Sequence, residues 1–196
     1  MKKISLITLS ILVILGVFIY FYKEELIKNF FEPTKTVIPE GEVSVEAKSP
    51  EVVAEGLSIP WELVFLPGGD MLVTERPGRL LRIGSDKKVI EIAGVTHRGE
   101  GGLLGLALHP KFAENNFIYL YMTTTGSRGL SNRVERYVLN GVTLSSRKVI
   151  IENIPGAANH DGGRFAFGPD GMLYIATGDA GVENNSQDTK SLAGKI

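Results

Sequence analysis

Cysteine is absent from the chain. That excludes disulfide frameworks, thiolate metal sites, cysteine nucleophiles and lipid anchoring through an N-terminal cysteine. A basic excess is also absent: 21 Lys and Arg stand against 22 Asp and Glu, a formal net charge of −1. Nothing in that balance drives binding to a phosphate backbone, so nucleic acid is not an expected partner. Helical periodicity is missing after the N-terminal apolar run. The glycine run around residues 99–105 precedes no helix and carries no Gly-Lys-Ser/Thr, which excludes a dinucleotide or nucleoside-triphosphate loop. Only 3 histidines are present, so the search for a reactive imidazole is short.

What is present is a chain of 196 residues, 43% hydrophobic, with 23 glycines and 9 prolines. A packed core is expected, and so many turns point to an all-β fold. The N-terminus is different in kind. Lys2 and Lys3 precede an uncharged run over residues 4–22, roughly 28 Å long as a helix at about 1.5 Å per residue, close to the thickness of a bilayer core. Tyr20 and Tyr22 stand where an interfacial aromatic belt would lie. No small-x-small site follows, so residues 1–31 read as an uncleaved signal anchor rather than a cleaved signal peptide. The lysines favour a cytoplasmic N-terminus, placing the remainder outside the membrane, periplasmic or extracellular. Residues 32–50, with Pro33, Pro39 and Pro50 among polar residues, read as a linker. The globular domain is expected over residues 51–196.

Within it a pattern recurs. Val52-Val53-Ala54 reads as an opening strand. Trp61-Glu62-Leu63-Val64-Phe65, a Pro67-Gly68-Gly69 turn and Leu72-Val73-Thr74 form a hairpin, continued by strands at residues 79–83 and 89–92. Leu106-Ala107-Leu108-His109-Pro110 begins a second copy, with later strands at 117–122, 132–139 and 148–151 and a Gly/Ser-rich insertion at 124–131. Phe165-Ala166-Phe167-Gly168-Pro169-Asp170-Gly171 begins a third, and residues 191–196 read as the start of its third strand. Four short antiparallel strands per copy are what a β-propeller blade needs. Three copies, the last unfinished, cannot close a propeller, so the chain is expected to be part of a longer protein.

Two candidate residues lie in the loop entering the third copy and at the far end of its hairpin. His160 precedes Asp161-Gly162-Gly163, where the glycines would let backbone or a flat ligand approach. Asp179 follows Gly178 after the paired strand. The hairpin brings the two together, and a carboxylate beside an imidazole fixes its tautomer for proton transfer. Spacing alone leaves open whether His160 is a general base or an exposed turn histidine. Glu100, in the corresponding loop of the second copy, is either a ligand-facing carboxylate or a solvated one. His97 in the same loop is equally open, and His109 reads as a structural turn residue. The oxygen-rich stretch 179–188 lacks the ligand spacing of a calcium loop and reads as a flexible polar loop.

The ordered motifs resemble those of the pyrroloquinoline quinone (PQQ)-dependent sugar dehydrogenases. Pro60-Trp61 with Leu66-Pro67-Gly68-Gly69 and Leu72-Val73-Thr74-Glu75-Arg76 is similar to their first blade. Glu100-Gly101-Gly102-Leu103-Leu104-Gly105-Leu106-Ala107 with His109-Pro110 is similar to the second. Asn159-His160-Asp161-Gly162-Gly163-Arg164 with Thr177-Gly178-Asp179 is similar to the third. The resemblance implies a six-bladed propeller holding PQQ and calcium at the channel mouth. It implies that His160 is the general base for oxidation of an aldose at C1 to the lactone, with hydride passing to the quinone. It makes Asp179 the residue that orients His160, and His160 and Glu100 contacts of the cofactor. Glu100 falls where the soluble glucose dehydrogenase branch has a glutamine touching the quinone. Asp161-Gly162-Gly163 is closer to the aldose sugar dehydrogenase branch, implying a broad aldose range and an external electron acceptor. The family's calcium ligands and most basic clamps on the quinone lie in later blades, so no metal ligand is assigned here, and the chain alone is expected to hold neither group properly. Two other functions fit a propeller of this lineage: a non-catalytic module binding a partner or sugar, and a calcium-dependent hydrolase.

Overall fold

A computed structural model of the chain describes residues 20–23, 49–127 and 129–196. Of the expected membrane segment, only residues 20–22 fall among these, in a helix over 20–23; the rest lies outside the described residues, as does nearly all of the expected linker. Among the described residues, no helix is long and apolar enough to cross a membrane.

Residues Glu51–Ile196 form one compact unit. Its elements are antiparallel sheets, as the turn-rich composition predicts. The first sheet holds β1 (Pro60–Phe65), β2 (Met71–Glu75), β3 (Arg79–Ile83) and β4 (Lys87–Glu91) in order 1-2-3-4. The second holds β5 (Leu103–Leu108), β6 (Phe117–Gly126), β7 (Gly129–Asn140) and β8 (Thr143–Pro155) in order 5-6-7-8. β9 (Gly162–Phe167) and β10 (Leu173–Thr177) pair as a two-stranded sheet. First strands pack on first strands, β1 against β5 and β5 against β9, the stacking expected of successive propeller blades.

The first and third hairpins turn alike. Leu66 N–H donates to Asp70 O, as Gly168 N–H does to Met172 O, and each turn closes through a glycine at positive φ, Gly69 at 93° and Gly171 at 76°. These glycines are required because an L side chain there would be strained. In the second hairpin a one-turn helix, α1 (Phe112–Asn115), takes the place of the tight turn and ends on Asn116 in the left-handed conformation. The sequence shows no helical period at this point, because one turn is too short to display one.

Strand alternation sends neighbouring side chains to opposite faces. Leu72 and Leu80 join Leu103, Leu106, Ile118, Leu120 and Met122 in the core between the first two sheets. Leu104, Ala107, Tyr119 and Tyr121 face the other way, onto Phe165 of β9. Gly105 lies between the two sets, and a Cβ there would run into Gly163 O and the Phe165 ring. The absence of a side chain at 105 therefore lets β9 approach β5.

Three local expectations are corrected. Residues 52–54 form no strand: Val52 and Val53 are exposed, and only Ala54 packs, against Val73, Leu81 and Ile83. Residues 191–196 form no strand either, because Lys195 folds back onto Thr177 at the end of β10. The insertion at 124–131 is the extension of the β6–β7 hairpin rather than a separate loop.

The second sheet also encloses a carboxylate. Glu135 is fully buried; Arg147 donates to both of its oxygens at 2.8 and 2.5 Å, Arg133 Nε lies at 2.6 Å, and the Tyr137 hydroxyl donates to it. Burial alone would raise its pKa; hydrogen bonds from Arg147 and Tyr137 and the two guanidinium charges outweigh this and hold it below the ordinary carboxylate value. Burial beside Glu135 pushes Tyr137 up to about 12. Since the folded pKa of Glu135 is depressed, its stabilisation is present above the unfolded value and is lost as pH falls through the folded one. Glu135→Gln is expected to lower stability at neutral pH by about 2 kcal/mol, the arginines being partly solvated. In urea unfolding the gap to wild type should close at acid pH. Equal stability at neutral pH would count against the network.

Candidate active site

The register of the third hairpin brings the two predicted residues together. Gly162, the first residue of β9, pairs with Thr177, the last of β10. His160 lies two residues before the one and Asp179 two residues after the other. His160 Nδ1 is 2.9 Å from Asp179 Oδ1. A carboxylate only accepts, so Nδ1 carries the proton and the lone pair belongs to Nε2, which no described residue engages. The imidazole is 57% exposed, and Asp179 22%. The hydrogen bond and charge of Asp179 raise the His160 pKa above its ordinary value, and Glu100 adds a smaller push in the same direction. In return, hydrogen bonds from His160 and from Gly181 N–H hold Asp179 below the usual carboxylate range.

The loop that carries His160 is fastened on several sides. His160 has φ 56°, a left-handed conformation that costs a non-glycine residue about 1–3 kcal/mol unless the surroundings enforce it. Its N–H donates to Glu100 Oε2 at 2.8 Å, and its carbonyl accepts from Ala180 N–H at 3.1 Å. Glu100 is itself positioned: its N–H donates to Ala158 O at 2.8 Å, while the Arg76 guanidinium donates to the carbonyls of Gly99 and Gly101 on either side. One residue on from His160, Asp161 is buried. Its Oδ1 accepts from Asn132 Nδ2 at 2.9 Å and Ala157 N–H at 3.1 Å, and its carbonyl accepts from the Tyr121 hydroxyl at 2.8 Å. Thr123 Oγ1 completes the chain by donating to Asn132 Oδ1 at 2.7 Å. Burial raises the pKa of Asp161, against the hydrogen bonds from Asn132 and Ala157.

All three predicted site residues, Glu100, His160 and Asp179, therefore meet. His97 is exposed and makes none of these bonds. His109 belongs to packing, as expected: its ring lies against Phe117, Tyr119 and Phe167, and Nδ1 accepts from Lys111 N–H and faces Asn115 Nδ2. The expected ligand-approach role of Gly162 and Gly163 is corrected. A side chain at 162 would strike the backbone of residues 176–178, and one at 163 would press on Leu104 and Tyr121, so both glycines serve packing. The stretch 179–188 is not a featureless loop, since Glu183–Ser186 forms a 3-10 turn. Among the described residues, no group of three or more His, Cys, Asp or Glu could hold a metal ion. Sequence reasoning missed Arg76, Asn132 and Asp161. Arg76 was accessible to it, lying just beyond β2 as Asp179 lies just beyond β10.

The glucose/sorbosone dehydrogenase family model matches residues 57–196. The chain belongs to that family. It is 33% identical over 156 residues to aldose sugar dehydrogenase YliI of Escherichia coli K12, covering 74% of this chain and 42% of that protein. It is 32% identical over 146 residues to quinoprotein glucose dehydrogenase B of Acinetobacter calcoaceticus, covering 67% of this chain and 30% of that one. Among solved structures it resembles the PQQ-bound form of aldose sugar dehydrogenase from Streptomyces coelicolor, with TM-score 0.70 and 42% identity over 76% of this chain and 46% of that chain. The chain thus spans less than half the length of these family members.

The raised His160 pKa has a direct check. Asp179→Asn is expected to lower the His160 titration midpoint toward that of a free imidazole, read from the histidine ring signals by NMR. With only 3 histidines to assign, the spectrum is tractable. An unshifted midpoint would show that Asp179 does not control the imidazole.

Proposed function

We propose that the protein carrying this chain is a quinoprotein sugar dehydrogenase that oxidises an aldose at C1 to the lactone, with His160 as general base. The observation that carries the reading is the exposed imidazole, held by Asp179 in the tautomer that leaves Nε2 free to take a proton. Family membership and the names of the relatives support the substrate class. Broad aldose use and an external electron acceptor belong to the same proposal.

PQQ fits this chain at one edge. His160 and Glu100 would border it, since they share one exposed loop surface and are already bonded to each other. The Arg76 guanidinium and the Lys195 ammonium are both committed to main-chain carbonyls, whereas Arg98, two residues before Glu100, is exposed on the same loop. Bound PQQ supplies a two-electron acceptor. His160 Nε2 takes the proton of the C1 hydroxyl as the C1–H bond is oxidised, and Asp179 stabilises the imidazolium that forms. Glu100 keeps the histidine backbone in place while the charge changes. Calcium, implied by the same likeness, meets no group of three or more His, Cys, Asp or Glu among the described residues, and no step is assigned to it. The proposal includes a six-bladed propeller lying outside the cytoplasm, attached through an uncleaved anchor over residues 4–22.

His160→Ala in the full-length protein, supplied with PQQ and calcium and assayed by dye reduction with aldoses, should lower turnover by about 10²–10⁴-fold. In the wild type, kcat/KM should rise with pH as His160 loses its proton. Because Asp179 raises that pKa, the limb should lie above an ordinary imidazole's. Unchanged turnover in His160→Ala would remove the histidine from this role.

A further inference from the structure

Asp179 lies at the start of a loop that returns to it, and Lys195 holds that return together. The Lys195 ammonium donates to the carbonyls of Asn185 at 2.7 Å, Ala193 at 2.8 Å and Ser186 at 3.2 Å. Those three bonds use every donor an ammonium has. The Lys195 backbone is tied to the end of β10: its N–H donates to Thr177 Oγ1 at 3.0 Å, and its carbonyl accepts from Thr177 N–H at 2.9 Å. Next to it, Gly194 N–H donates to Gly178 O at 2.8 Å. Two of the carbonyls gathered by the ammonium, those of Asn185 and Ser186, belong to the 3-10 turn, and that turn acts on Asp179 directly, because Asn185 Nδ2 donates to Asp179 O at 2.8 Å. A continuous path runs from the ammonium to the backbone of the carboxylate that faces His160.

We propose that Lys195 is a positioning residue for the His160–Asp179 pair, its ammonium gathering the main-chain oxygens of the 179–195 loop as a bound cation would. This explains how an oxygen-rich loop without calcium-loop spacing is nonetheless ordered around one centre. The cation is supplied by the chain itself. An ammonium needs only carbonyl acceptors, where a divalent ion would call for carboxylates, and all three acceptors here are neutral. Without the ammonium, the carbonyls of Asn185 and Ser186 turn to water, the 3-10 turn loosens, and Asp179 loses its bond from Asn185. The imidazole then loses the geometry that orients it. The catalytic consequence rests on the proposed role of His160 as base, whereas the positioning does not.

The test reads the His160 titration in the full-length protein by NMR. Besides Asp179, the charged group acting on His160 is Glu100, and Lys195→Met alters neither. Removing a positive charge can by itself only raise an imidazole's midpoint. A fall therefore reports a lost Asp179 contact. Lys195→Met is expected to lower the His160 midpoint by at least half of the fall produced by Asp179→Asn, with His97 and His109 as internal references. A midpoint that stays put or rises in a folded Lys195→Met protein would overturn the proposal, even if the protein melts at lower temperature. Should Lys195→Met not fold, Asn185→Ala takes its place, since it cuts the final link and leaves the ammonium's carbonyl contacts in place. The same fall is expected there, and no fall would overturn the proposal. Failure of the protein to oxidise aldoses would sink the dehydrogenase reading without touching this measurement.

Discussion

The carbonyl of His160 occupies the space where a side chain at residue 178 would have to sit. Much of the site follows from that close contact. It allows β9 and β10 to converge at their ends, which brings Asp179 to the imidazole. It also sets His160 in a left-handed conformation with its N–H turned toward Glu100. Glycine at 178 is thus required by the backbone of a neighbouring residue rather than by its own dihedral angles. Gly105 works in the same way one layer away, admitting β9 to the face of β5. Both close approaches are steric conditions for the geometry of the site, and both are met by leaving out a side chain.

Electrostatics then act on this frame. Two carboxylates, Asp179 and Glu100, face one histidine, and both favour its protonated form. An orienting carboxylate brings two effects that cannot be separated: it selects the tautomer that a base needs, and it raises the pH at which the base becomes free. Asp161, next in sequence, is treated differently. It is buried among hydrogen-bond donors from the second sheet, and its raised pKa comes first from desolvation. Adjacent residues are therefore placed in opposite ways, one exposed and one sunk into the sheet as an anchor.

The repeated hairpins were legible because their turn residues and strand alternation are local signals. Pro67-Gly68-Gly69 and Pro169-Asp170-Gly171 mark the turns on their own, and hairpin geometry then implies that residues 160 and 179 meet. Other features were not legible, because their causes are tertiary. Lys195 looks like part of a strand beginning at residue 191; its ammonium acts on carbonyls, which every residue has and no sequence displays. Gly162 and Gly163 suggest room for a ligand, yet the room is taken by the chain's own backbone. Helix α1 spans a single turn, too short for periodicity to show. Glu100 was identified as a site residue, but its hold on the His160 amide could be seen only once the second and third sheets were placed together.

That hold spans the whole unit. The amide of His160 belongs to the loop before the third sheet, the carboxylate it meets belongs to the loop before the second, and the guanidinium fixing that loop belongs to the turn after β2 of the first. Glu100 and His160 are 60 residues apart in the chain. Contacts at such separation form after the loop-closure entropy of the intervening chain has been lost. The isolated hairpin could align its own histidine and aspartate, but the surrounding supports exist only when three sheets have docked. The surroundings of the histidine are thus assembled from distant parts of the chain, and a chain in which the three sheets had not docked would expose an imidazole without these neighbours.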